Sequence, residues 1–369
     1  MNQEVNGKKL KVLVAPLDWG LGHATRCIPI IYAFLEAKCE VILAGEGKTA
    51  TLLQAEFPQL SFLHLQGYAI EYAKGVSLKA KLIAQIPKIK AAIIRENLWL
   101  QQVVIDYKID AVLSDNRYGL YHSTVPSVLI THQLLIKTGF GPIADRILQR
   151  IAYKYINRFT QCWVPDNEGS FSFAGALSHP ASMPFIPVHY ISILSRFQTA
   201  AEEPLNHYIL ILLSGPEPQR TILEEQLLQQ AKDLKEHLFF VRGLPGTATL
   251  PSVPYAITIV NHLPTFAMQK AIEGAAFVIC RSGYSSVMDV TTLQKKAIMI
   301  PTPGQTEQEY LANYLTSNKV ALCIPQSKFK LKNALELATT FPYHIEKINR
   351  DHQLKEAVLT LLQHIAGKE

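Results

Sequence analysis

The chain has 369 residues, 48% of them hydrophobic and 18% charged, with a formal net charge of +6. That length is too great for one ordinary domain and fits two, and the composition excludes a disordered or fibrous chain. No apolar run reaches the roughly 18 residues that a membrane-spanning helix needs. The mild positive charge suits an anionic substrate or membrane surface and does not indicate nucleic acid.

Met1 to Lys9 is short and polar, without the apolar core of a signal peptide. From there short aliphatic runs alternate with amphipathic stretches, the pattern of parallel sheets built from βαβ units. Leu10 to Ala15 predicts a strand, followed by a glycine turn and a helix from about Thr25 to Ala37. Strands are predicted at Glu40 to Ala44, Phe62 to Leu65, Ala111 to Ser114, Val128 to Thr131 and Cys162 to Val164, with a short one near Tyr190. A second series runs through Tyr208 to Leu213, Leu238 to Val241, Ala256 to Val260, Phe277 to Cys280, Ala297 to Ile300 and Ala321 to Ile324. Pro180, Pro184, Pro187 and the polar stretch Gln198 to Asn206 separate the two series and place a boundary near residue 200. The last helix spans about Gln353 to His364, with Leu354, Val358, Leu361 and Leu362 at helical spacing. The expected organisation is α/β: two Rossmann-like doubly wound domains, residues 1–198 and 199–345, and a terminal segment, 346–369. Cys27, Cys39, Cys162, Cys280 and Cys323 are scattered and odd in number, which points to a reducing, cytoplasmic compartment. They form no metal-ligand spacing, and no metal or other cofactor is expected.

The turn Leu17-Asp18-Trp19-Gly20-Leu21-Gly22-His23 follows the first strand. Its glycines free helix N–H groups for a ligand, but a dinucleotide fingerprint would need a third glycine and an acidic residue closing the second strand. Glu46 sits in a glycine loop instead. His23 is expected to project from the loop at the carboxyl edge of the sheet, where an imidazole can act as general base; a cap or packing role is the alternative.

In the second series a strand runs into Arg281-Ser282-Gly283-Tyr284-Ser285-Ser286 at the start of a helix. Small residues and hydroxyls at a helix N-terminus suit a diphosphate. Arg281 adds charge there or pairs with a carboxylate elsewhere, and Asp289, two turns on, is placed to reach a ribose hydroxyl pair. The loop Pro301 to Glu309 offers Glu307 and Gln308 to sugar hydroxyls, and Ser214-Gly215 is a third glycine turn of the same domain.

These motifs, with Ile130-Thr131-His132-Gln133 and a basic stretch after residue 78, occur in the order seen in one family. The chain resembles the glycosyltransferases of family 28 that include the bacterial peptidoglycan N-acetylglucosaminyltransferase and, more distantly, plant and macrolide UDP-sugar transferases. The resemblance implies a GT-B fold with an interdomain cleft, the first domain receiving the acceptor and the second the nucleotide sugar. It implies a uridine nucleotide, with the base met by the backbone near His262 and Leu263. It gives Arg281 to Ser286 the diphosphate, Asp289 the ribose, Glu307 and Gln308 the donor sugar, and Gly20, Gly22, His132 and Gln133 the acceptor side. It pairs His23 with Asp115 as a base and its orienting carboxylate, where a turn or cap role for Asp115 is the alternative. It also implies that the terminal helix packs back on the first domain. Asp115-Asn116-Arg117-Tyr118-Gly119 departs from the family's glycine-rich loop, which leaves the acceptor open.

A single base with no evident nucleophile implies transfer with inversion. A sugar-nucleotide epimerase and a non-catalytic sugar-nucleotide-binding protein share this architecture and remain alternatives. Lys79, Lys81, Lys88, Lys90 and Arg95 interleave with Leu82, Ile83, Ile86, Ile89 and Ile93, interrupted at Pro87. Arg146, Arg150, Lys154 and Arg158 form a second stripe beside Ile147, Ile151, Tyr155 and Phe159. Such faces dock on anionic lipid, which fits a lipid-linked acceptor at the inner face of the cell membrane. Ordinary surface helices, apolar side inward, are the alternative.

Overall fold

The structure, a computed structural model, describes residues 9–68, 85–169, 171–198, 208–244, 246, 248–254, 256–346 and 351–367. The described residues fall into two compact units. The first holds residues up to Leu194 and those from Asp351 on; the second holds Ser195 to Glu346. The sequence boundary was expected near residue 200, and residues 199–207 lie outside the described part, as do Lys79, Lys81, Leu82 and Ile83 of the basic stretch.

Among the described residues the first unit has a seven-stranded sheet in the order β3-β2-β1-β4-β5-β6-β7. The strands are β1 (Lys11–Pro16), β2 (Glu40–Gly45), β3 (Ser61–His64), β4 (Ala111–Asp115), β5 (Ser127–Ile130), β6 (Gln161–Val164) and β7 (Val188–Tyr190). All pair in parallel. β1 and β4 are continuous buried runs, as a sheet covered on both faces requires. The helices are α1 (Leu21–Glu36), α2 (Gly47–Glu56), α3 (Ile86–Tyr107) and α4 (Pro142–Ile156). Leu100 and Val103 of α3 pack on Leu13, Ile42 and Val112. Pro87 lies in the first turn of α3, where its missing N–H costs nothing; it opens that helix and does not interrupt it.

The second unit repeats the plan with β8 (Tyr208–Leu212), β9 (Leu238–Val241), β10 (Ile257–Val260), β11 (Ala275–Cys280), β12 (Ala297–Met299) and β13 (Leu322–Cys323). Its described order is β10-β9-β8-β11-β12-β13, again all parallel. Its helices are α5 (Gln219–Gln230), α6 (Thr265–Glu273), α7 (Tyr284–Thr292), α8 (Thr306–Ser317) and α9 (Leu331–Thr340). Leu223 and Leu227 of α5 and Leu331 and Leu335 of α9 close the core over Ile211, Phe240, Ile279 and Ile298. Gly243, just past β9, has φ +66°, and a Cβ there would lie 2.3 Å from the Leu213 carbonyl oxygen, so glycine alone fits.

The last helix, α10 (Asp351–Ala366), belongs to the first unit. It buries Leu354, Val358, Leu361, Leu362 and Ile365, lies against α1, and pairs Lys355 with Glu36 at 3.0 Å.

Candidate active site

In each sheet the strand order reverses at one place, between β1 and β4 and between β8 and β11. Loops leaving neighbouring strands there run in opposite directions and open a crevice for ligands. His23 follows β1, Asp115 ends β4, Ser214 follows β8 and Arg281 follows β11. The candidate residues thus sit at the two switch points.

His23 is in the first turn of α1 and not in the loop before it, because the helix starts at Leu21. Gly20 precedes that turn with open space where a Cβ would stand. His23 Nδ1 lies 3.1 Å from Asp115 Oδ2, which brings the expected pair together. Register explains the approach: Pro16 of β1 stands opposite Asp115 of β4. Asp115 is fully buried and is also bound by Arg26, whose Nε donates to Oδ2 at 2.7 Å and whose Nη2 donates to Oδ1. Burial alone would raise the Asp115 carboxyl, but the charges of Arg26 and His23 outweigh it and hold the group at about 2. Burial, then Arg26, push the His23 imidazole below its ordinary value, while Asp115 pulls it upward and His132 adds to the depression. His23 is therefore neutral at pH 7 and able to accept a proton.

Arg26 escaped the sequence reading. Its position three residues after His23, on the same helix face, was the available signal. His132, after β5, is buried and near enough to act on His23 electrostatically. Gln133 is half-buried, its N–H donating to the Thr131 hydroxyl at 3.1 Å. Gly22 lies in the first turn of α1. Beside this group Arg117, fully buried, pairs with Glu96 at 2.7 Å and donates to the Pro16 carbonyl at 2.8 Å. The stretch that departs from the glycine-rich loop is therefore a buried ion pair. Glu46 accepts the Gly67 N–H at 2.8 Å and faces His64 at 3.4 Å. A separate cavity of about 780 Å³ lies along β2 and β3, lined by Glu46, Lys48, Thr51, Phe62 and His64 among others, and by none of the candidate residues.

In the second unit α7 begins after Gly283, which is in an extended conformation, and no side chain caps the helix there. Its first turn holds Ser285 and Ser286, both half-buried, and no acidic residue. Ser282 Oγ donates to the Gln308 carbonyl at 3.0 Å, and Gln308 Oε1 accepts the Thr302 N–H at 2.9 Å. A Cβ on Gly283 would lie 3.8 Å from Gln308 Nε2, and one on Gly215 4.0 Å from Thr302 Oγ1. So the ends of β8, β11 and β12 converge on Gly215, Ser282, Gly283, Thr302 and Gln308. Thr302, whose buried hydroxyl oxygen has no hydrogen-bond partner among the described residues, was not anticipated. Ser214 is exposed, Glu307 lies half-buried in the first turn of α8, and Leu263 is half-buried between β10 and α6.

The structure gives two of the donor-side residues partners within the protein. Arg281 is buried and is not an exposed phosphate ligand. Its guanidinium donates to the carbonyls of Gln219 at 2.8 Å, Ile300 at 3.3 Å and Pro301 at 3.4 Å, and to Gln326 Oε1 at 2.8 Å. Burial lowers its pKa to about 10. It ties the strand ends together, and the expected carboxylate partner is replaced by carbonyl dipoles. Asp289 is half-buried, and its Oδ1 accepts a hydrogen bond from the Ser195 hydroxyl at 2.6 Å, so the carboxylate expected to meet ribose already meets a hydroxyl.

The apolar row of the second stripe divides: Phe159 is buried and Tyr155 half-buried, as in an ordinary surface helix, whereas Ile147 is 54% and Ile151 45% exposed. The buried side of α4 carries Asp145, Gln149, Ala152 and Ile156, and Ile143 is 75% exposed. Asp145 is tolerated inside because Oδ1 accepts the Thr138 N–H at 2.8 Å and its hydroxyl at 2.7 Å. Phe140, just before the helix, is exposed as well. Among the described residues no helix is long and apolar enough to cross a membrane, and no group of His, Cys, Asp and Glu could hold a metal ion.

Residues 219–363 match the glycosyltransferase family 28 C-terminal domain. Over 341 residues the chain is 26% identical to the UDP-N-acetylglucosamine–N-acetylmuramyl-(pentapeptide) pyrophosphoryl-undecaprenol N-acetylglucosamine transferase of Glaesserella parasuis serovar 5, covering 89% of this chain and 88% of that one. The crystal structure of the glycosyltransferase SnogD from Streptomyces nogalater aligns with 97% of this chain and 96% of its own, at TM-score 0.57 and 15% identity. Acinetobacter baumannii MurG aligns with 98% and 99%, at TM-score 0.51 and 17% identity. Two parallel sheets flanked by helices, in this order, are the GT-B glycosyltransferase fold.

Proposed function

We propose that this glycosyl transfer enzyme, which carries a family 28 C-terminal domain, moves a hexosyl group from a UDP-activated sugar to an acceptor hydroxyl with inversion. The observation that carries the reading is the His23–Asp115 contact at the β1–β4 switch point. Neutral His23 accepts the proton of the acceptor hydroxyl as that oxygen attacks the anomeric carbon. Asp115 stabilises the imidazolium that forms. The bond to the nucleoside diphosphate breaks, and the N–H groups opening α7, with Ser285 and Ser286, stabilise the departing charge. Asp289 holds the ribose hydroxyls, Glu307 and Gln308 the donor sugar, Leu263 backbone the base, and Ser214 and Gly215 line the same donor site. No step requires a metal ion.

The uridine donor is supported by the name of the Glaesserella relative, a UDP-N-acetylglucosamine transferase that acts on a pyrophosphoryl-undecaprenol acceptor. For this chain the α4 face supports a lipid-linked acceptor. Ile143, Ile147 and Ile151 are exposed beside Arg146, Arg150 and Lys154, an arrangement that inserts apolar side chains between anionic headgroups. We place the enzyme at the inner face of the cell membrane, with Gly20, Gly22, His132 and Gln133 on the acceptor side.

The test measures release of UDP and a glycosylated product from UDP-sugars with lipid extracts as acceptor. Inverted product from wild type, and at least a hundredfold less from His23→Asn, is expected. Product of retained configuration, or an unaffected His23→Asn enzyme, would overturn the mechanism.

A further inference from the structure

We infer that Arg26 is a positioning residue that tempers His23 by competing with it for Asp115. The inference rests on His23 being the base. A His–Asp pair that serves as base holds its proton on Nδ1, donates it to the carboxylate, and keeps the Nε2 lone pair for substrate. Here a third group intervenes. Arg26 Nη2 lies 2.7 Å from His23 Nδ1, while Arg26 Nε and Nη2 take both oxygens of Asp115. A guanidinium N–H can only donate, so its approach to Nδ1 favours the tautomer with a lone pair on Nδ1 and the proton on Nε2. Asp115 favours the opposite tautomer. Both partners are fixed, because Arg26 is 3% and Asp115 0% exposed.

The groups facing the imidazole can be named: Arg26 on its own helix, Asp115 from β4 and His132 beyond β5. Cys27 adds its Sγ, 3.8 Å from Asp115 Oδ2. After burial, Arg26 is the largest influence that opposes the imidazolium, with His132 adding to it. Without it, Asp115 would hold Nδ1–H alone, and the imidazole would be both more basic and wholly in the productive tautomer. The arrangement keeps the base neutral at pH 7 and divides it between two tautomers until substrate is bound.

The full chain labelled with ¹⁵N-histidine reads this directly, the His23 signals being assigned by their loss in His23→Asn. In wild type the neutral His23 ring should show both tautomers. Arg26→Gln should shift it to Nδ1–H and raise its titration midpoint by about one pH unit, the effect of removing one nearby charge. Arg26→Lys, which keeps the charge, should stay nearer the wild-type midpoint. A wild-type ring wholly in the Nδ1–H form overturns the inference even if Arg26→Gln does not fold. So does an Arg26→Gln midpoint that stays or falls, or an equal rise in both variants. The acid limb of kcat/KM should move with the midpoint. A midpoint that moves in an enzyme whose transfer does not depend on His23 sinks the base assignment and leaves the Arg26 contact standing. Transfer that depends on His23 with an unmoved midpoint sinks the Arg26 inference alone.

Discussion

At the scale of single residues, Arg281 and Asp289 contrast a buried tie with the residue proposed to hold the donor ribose. Arg281 serves four acceptors with its guanidinium, so Arg281→Met should leave buried carbonyls unsatisfied and lower stability by about 1–3 kcal/mol. A urea titration measures this, and an unchanged midpoint would show that the carbonyls find other partners. Asp289→Ala leaves the buried Ser195 hydroxyl without its acceptor and should cost about 1 kcal/mol, but it should also abolish the thermal shift produced by UDP; a shift equal to wild type would remove Asp289 from the proposed donor site. The two roles could not be told apart in sequence. Arginine after a strand and before a small-residue helix start fits either a phosphate ligand or a buried tie, and only the depth of the side chain decides. His23 and Asp115 were legible because each follows a strand of recognisable pattern, and parallel pairing then dictates their proximity. Arg26 was not, since a cation inside an otherwise apolar helix face announces no partner until the carboxylate it serves is located.

At the scale of elements, strand boundaries were legible to within about two residues because buried parallel strands are uninterrupted aliphatic runs. The start of α1 was misplaced by four residues, from Thr25 to Leu21, since glycines read as turn even where they open a helix. The orientation of α4 was hidden for a different reason. Amphipathic spacing shows that a helix has two faces, and the ordinary rule sends the apolar one inward. Here Thr138 and Lys137 satisfy Asp145, and Gln149 reaches the Leu134 carbonyl, so these two polar residues go in with Ala152 and Ile156 while Ile143, Ile147 and Ile151 stay out with the cations. Replacing Ile143 and Ile147 together by glutamate should therefore leave folding stability within about 0.5 kcal/mol of wild type, as exposed sites do. The same pair should greatly reduce cosedimentation with vesicles containing phosphatidylglycerol. Unchanged vesicle binding, or none in the wild type, would overturn the proposed membrane contact of this face. Ile156→Glu, on the buried side of the same helix, should instead destabilise strongly.

At the scale of the whole molecule, the first unit depends on a helix that the chain supplies only after the second unit is complete. Leu361 of α10 is 1% exposed, and its neighbours Val358 and Leu362 are equally enclosed. A carboxylate at that position cannot be solvated without withdrawing the helix, so Leu361→Asp should remove several buried side chains from the first unit, each contributing about 1.5–3 kcal/mol. The second unit has its own core and the proposed donor groups, so its response to UDP should persist. At a hundredfold excess over Kd that response is about 2.7 kcal/mol. Calorimetry of Leu361→Asp should accordingly show an early transition indifferent to UDP and a later one raised by it. The early transition belongs to the unit holding His23 and Asp115, and acid should affect it most in the wild type. Asp115 titrates near 2 when folded, against an ordinary carboxylate value near 4, so the stability it confers is present above about pH 4 and is lost as pH falls toward 2. His23, also depressed, acts in the same sense from about pH 6.5 downward. If UDP fails to raise any transition in Leu361→Asp while it stabilises wild type, donor binding requires the first unit, and the assignment of the donor groups to the second unit alone is wrong.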